Sequence, residues 1–146
     1  MVNQLIDIIG REATLFESFL QLLEQQQDFL VTNDVDGLNR ITDLQREKLV
    51  QSQLLDKERE DLVAKIQIAN KIDGDLNVSR LLELVDSQQA NRLSQLRETI
   101  RDLNDRITDV RNQNATLLNR SREYIRKTLE MLTKLNQPET TYTPMG

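Results

Sequence analysis

A chain of 146 residues with a net charge of −5, 38% hydrophobic and only 3% aromatic residues can stripe slender helices but cannot fill a thick globular core. It has no Cys and no His, which excludes disulfides, thiolate zinc sites, Ser–His and Cys–His nucleophiles and imidazole acid–base chemistry. The acidic balance argues against a nucleic-acid partner. With no basic signal-peptide start and no apolar run near the roughly 20 residues that span a bilayer, a soluble cytoplasmic protein is expected, without membrane insertion.

The first predicted helix runs from about Val2 to Val31. Its apolar residues come in doublets, among them Leu5/Ile6, Leu15/Phe16, Phe19/Leu20 and Phe29/Leu30. A doublet every three or four residues makes a face wide enough to touch two other helices. All three Phe lie here, so this helix is expected to be the best buried.

Asn33 to Gly37 reads as a break, because Asn and Asp favour turns and N-caps. A second helix is expected over Val35–Ile72, with Leu38, Ile41, Leu44, Leu55, Leu62, Ile66 and Ala69 facing inward. Lys48, Ser52 and Arg59 fall where apolar residues would continue that stripe, which marks a more exposed arm. Asp73–Ser79 is the next break, with Gly74 as the residue after a helix end and Asn77 or Ser79 as a cap.

The third predicted helix runs from Ser79 to Asn136, with a bend possible near Ser87–Ala90, and Pro138 ends it. From Leu93 to Leu135 its core-type positions alternate three and four residues apart, the seam of a coiled coil. The seam turns polar at Asn114, Ser121 and Thr128. A second apolar row opens beside it at Leu118, Ile125 and Leu132, flanked by Leu117 and Tyr124. This widened face is expected to accept another helix, although a seam drifting around a straight helix would also produce it.

The expected fold is therefore all-α. It is an elongated, antiparallel three-helix, coiled-coil-like bundle with one very long C-terminal helix, lined by the other two, and an irregular tail. Residues 1–136 form one helical domain and 137–146 a flexible tail. No metal or cofactor is expected: the carboxylate pairs Asp34/Asp36 and Asp73/Asp75 open no calcium loop closed by Glu, and no glycine run cradles a phosphate. Catalysis has no support.

The Asn112-Gln113-Asn114 patch, the Leu129-Glu130-Met131-Leu132 turn and the ending Tyr142-Thr143-Pro144-Met145-Gly146 resemble the FlgN family of flagellar type III export chaperones. The Asn-Asp-Val-Asp-Gly-Leu start of the second helix fits the same layout. The likeness is specific over roughly the last 35 residues and departs at Thr143, where the family more often has Gly. The resemblance implies a small helical chaperone that binds the C-terminal amphipathic segments of the hook–filament junction proteins FlgK and FlgL. It would keep them from associating early and deliver them to the cytosolic part of the export gate FlhA. The client face then comprises Asn114, Leu117, Leu118, Ser121, Tyr124, Ile125, Thr128 and Leu132, and Tyr142, Pro144 and Gly146 dock on the gate. A tethering coiled coil, dimeric through Leu93–Val110, is the alternative, and weak homo-oligomerisation stays open.

Overall fold

The computed structural model describes residues 1–136, which fold into four helices: α1 (Val2–Thr32), α2 (Val35–Ala69), α3 (Val78–Glu83) and α4 (Ser87–Asn136). No strand occurs among the described residues. The expected all-α bundle with a long C-terminal helix is what the chain forms, with one short helix more than expected.

The α1–α2 turn is two residues long because each carries a specific role. Asn33 takes the left-handed conformation (φ 55°) that ends α1. Asp34 caps α2, its carboxylate accepting from Gly37 N at 2.9 Å. Phe29 packs so close to Gly37 that a Cβ there would lie 2.7 Å from its ring.

α2 ends at Ala69, three residues earlier than the sequence suggests. Its reversal uses a left-handed Lys71 (φ 52°), with Gly74 (φ 82°) further along the connection. Asn77 caps α3 by accepting from Arg80 N at 2.9 Å. The long third helix is broken before Ser87 by a reciprocal cap: Gln89 N donates to Asp86 Oδ1 at 2.8 Å and Asp86 N to Gln89 Oε1 at 3.1 Å.

Direction and register follow from cross-helix hydrogen bonds. Asn3 pairs with Gln89 and Gln27 with Gln113, each 86 residues apart, so α1 and α4 run parallel at a constant offset. α2 runs antiparallel to α1, with Arg11 meeting Glu58 and Gln26 meeting Gln45. The central helix is α1, not the long C-terminal one: its doublets pack α2 on one side and α4 on the other. α2 and α4 have no Cα pair within 8 Å of each other.

The bundle is thickest at the base, where Leu5, Ile66, Leu81 and Leu93 bring all four helices together. Fully burying such a side chain is worth about 1.5–3 kcal/mol. Of the expected α2 core, Ile41 and Ile66 are buried, whereas Leu44 and Ala69 are exposed. Away from the base the molecule thins. The offset of 86 sets Thr32, the end of α1, level with Leu118. The remaining turns of α4, some 27 Å at 1.5 Å per residue, project past the bundle as a single-helix arm.

Candidate helix-binding site

The seam of α4 divides where α1 stops. Leu93, Leu96 and Leu103 are buried on α1, so the Leu93–Val110 stretch that would pair a tethering coiled coil is engaged within the chain. The last seam residue held this way is Asn114, 5% exposed. Its Nδ2 donates to Leu23 O at 2.9 Å and to Gln26 Oε1 at 3.0 Å. Gln26 in turn accepts from Gln45 of α2 at 3.4 Å, so one polar cluster ties three helices.

Beyond Asn114 the expected face is present but uncovered. Leu117, Ser121 and Thr128 are half-buried. Leu118, Tyr124, Ile125 and Leu132 are exposed, Tyr124 at 72% and Ile125 at 55%. Leu129, 59% exposed, was missed as a member of this row, although it stands four residues after Ile125 and three before Leu132. A strict seven-residue template hides it. Leu118, Ile125, Leu129 and Leu132 fall at the spacing by which one helix face grips another.

The opposite side of the arm is polar. Arg126 bonds to Glu123 one turn before it and to Glu130 one turn after, at 2.6 Å for the latter. The hydrogen bond from Arg126 to Glu123, with the charge of that cation, holds the Glu123 carboxyl below its usual range, and the same bond with the charges of Glu123 and Glu130 raises Arg126. The pairs lock an exposed helix without asking anything of a partner. Tyr142, Pro144 and Gly146 lie outside the described residues.

A second surface lies between α2 and α4, because neither reaches the other across α1. Nearer the base, Leu15, Phe16 and Phe19 floor a cavity of about 300 Å³ walled by Lys48, Leu49 and Ser52 of α2 and by Ile100, Asn104 and Ile107 of α4. Phe19 also floors the next cavity, about 540 Å³, which runs on past Asn112 and Asn114 to Leu118. The two form one trough that ends where the arm begins. The Phe rings are half-buried because they line it.

No helix among the described residues is long and apolar enough to cross a membrane. None of them forms a group of three or more His, Cys, Asp or Glu positioned to hold a metal. A family model described as FlgN protein matches residues 1–146, the whole chain. No curated protein and no solved structure is matched.

Proposed function

We infer the specific task of this chain from the premise that it belongs to the FlgN family, whose members are flagellar export chaperones. The clients are the C-terminal amphipathic segments of the hook–filament junction proteins FlgK and FlgL, and the site is the arm. The observation that carries this reading is the row Leu118, Ile125, Leu129 and Leu132. These four apolar residues stand at helix-pairing spacing and are 39–59% exposed among the described residues. A chaperone for amphipathic segments needs such a face, because the stripe it shields would otherwise find another partner.

Delivery is a second contact. Tyr142 follows Pro138 in the sequence, and a proline ends a helix. That tyrosine is assigned to the cytosolic part of FlhA, with Pro144 and Gly146, where an aromatic anchor supplies large contact area with few torsions to fix. Both contacts take place in the cytoplasm.

Titration of wild type, Ile125→Asp and Tyr142→Ala against both partners tests the assignment. Ile125→Asp should abolish binding of the FlgK and FlgL C-terminal segments while the fold persists, since a charge in a desolvated contact costs several kcal/mol. Tyr142→Ala should leave client affinity within about 0.5 kcal/mol and weaken FlhA binding by more than about 1–2 kcal/mol. Full client affinity in a folded Ile125→Asp protein would remove the arm from the client site. Equal losses for both partners in Tyr142→Ala would place the tail in it.

A further inference from the structure

The trough and the arm share one face of α4. On the trough that face is Ile100, Asn104, Ile107, Arg111 and Leu118, spaced three, four or seven residues apart. The same spacing carries on through Arg122, Ile125, Leu129 and Leu132, and α4 is a single helix throughout. From Ile100 to Leu132 this track is about 48 Å long at 1.5 Å per residue.

Every charge along the track is positive. Lys48 of α2 lines the first cavity and Arg111 the second, and neither cavity has an acid among its lining residues. Arg122 stands within the arm's apolar row, four residues after Leu118 and three before Ile125. Lys48, Arg111 and Arg122 form no ion pair among the described residues, whereas Arg106 and Arg126, on other sides of α4, meet Glu24 and Glu123. The chain as a whole carries −5, so a track with cations alone is a local feature.

We propose that the trough and the arm form one docking track for a single amphipathic helix whose apolar stripe is interrupted by acidic residues, two of them eleven residues apart. The proposal rests on the client reading above and narrows it to the segments that the site accepts. Arg111 and Arg122 are eleven residues, about three turns and about 16 Å, apart along α4. Acids at that separation in a helix laid alongside meet both. A further acid toward the base of the bundle would face Lys48 in the first cavity.

Covering the row takes water from both guanidinium groups. An acid opposite each replaces that water with a charge-assisted hydrogen bond, whereas an unbroken apolar stripe leaves two cations buried without a partner. The arginines therefore reject the wrong helix as much as they hold the right one. The trough half of the track lies between α2 and α4, a concavity that fits a rod; a flat anionic bilayer would meet the arm and never reach the Phe floor.

Two Leu-striped helical peptides of about 30 residues, long enough to follow most of the track, test the charge rule. They are identical except at two stripe positions eleven apart, Glu in one and Lys in the other, a spacing that reads the same in either orientation. The full wild-type chain should bind the Glu peptide at least about tenfold more tightly, with the gap narrowing as salt is added. The double variant Arg111→Glu/Arg122→Glu, changed at two exposed positions, should keep wild-type helicity and reverse the preference. Leu49→Asp, on the α2 wall of the trough and 57% exposed, should weaken the Glu peptide by about tenfold or more.

Equal affinity for the two peptides, or a preference that the double variant retains, overturns the proposal. Undiminished binding of the Glu peptide to Leu49→Asp does so too, by confining the contact to the arm. Binding of wild type to vesicles of anionic lipid and to neither peptide would make the arm a membrane-surface helix instead. The FlgK and FlgL segments separate this proposal from the client reading. Their loss from Ile125→Asp, with full binding to the double variant and to Leu49→Asp, would keep the arm as the client site and remove the track. Peptide discrimination without binding of either segment to wild type would keep the track and remove those clients.

Discussion

Asn114 of α4, the last fully buried residue of its seam among the described residues, donates a hydrogen bond to the carbonyl oxygen of Leu23, 2.9 Å away in α1. The bond fixes the register of the pair where the apolar seam is about to end, the role a buried seam Asn commonly takes. Asn114→Ala should lower unfolding free energy by about 1–2 kcal/mol in urea titration, the lower part of the range for a buried polar pair. The cost is modest because Asn114 Oδ1 already lacks a partner among the described residues. A loss near zero would mean that Leu23 and Gln26 are hydrated without it.

Leu103 and Ile125 stand on the same helix yet should fail in opposite ways. Leu103 is 6% exposed against α1, whereas Ile125 projects beyond it. Leu103→Asp places an unpaired carboxylate in the packed interface and should unfold the bundle, visible as lost helicity at room temperature. Ile125→Asp should keep the unfolding midpoint of wild type to within the small effect of a surface change, about 0.5 kcal/mol. If both unfold the chain, the arm is packed against something in solution.

Gly37 is held without a side chain by its neighbours. A Cβ would meet Phe29 Cδ1 at 2.7 Å and the Asp34 carboxylate at 2.9 Å, disturbing a packed ring and a helix cap together. Gly37→Ala should therefore destabilise by about 1–3 kcal/mol, despite the better helix propensity of Ala. Thermal unfolding measures it. An unchanged midpoint would show that Phe29 can swing aside without cost.

Most of this architecture was legible because helical periodicity is a local signal. The doublets of α1 gave its extent and its two-sided packing, and the seam of α4 gave its length and the place where its lining ends. What could not be read is which helix stands in the middle. That depends on register between elements far apart in sequence, set by contacts such as Asn3 with Gln89, and a repeating Leu pattern accepts many registers. The exposed row on the arm was visible as a second stripe. The trough was not, because it is defined by the gap between α2 and α4, and no single helix carries it.

Glu12 is the buried acid of the α1–α2 interface, 7% exposed, with its Oε1 3.2 Å from Arg59 Nε. Burial pushes its pKa up, Arg59 pulls it down, and Asp56 nearby pushes it up again; the balance is upward. An acid whose folded pKa lies above its unfolded value binds its proton more tightly when folded. Its contribution to stability is therefore greatest when protonated, falls as pH rises from the unfolded value through the raised folded one, and is least once both states are ionised. At neutral pH the carboxylate costs more than its ion pair returns. Glu12→Gln keeps the shape and removes the charge, and Arg59 retains Asp56 at 2.9 Å, so no cation is stranded. The variant should be as stable as wild type or more so by about 1 kcal/mol at neutral pH, as when a buried ion pair is replaced by a neutral group. That advantage should vanish on acidification below the ordinary carboxylate range, where wild-type Glu12 carries its own proton. Urea unfolding of both proteins across this pH span decides it. A loss of more than about 2 kcal/mol at neutral pH would show that the Glu12–Arg59 attraction outweighs burial and that the pair clamps α2 to α1.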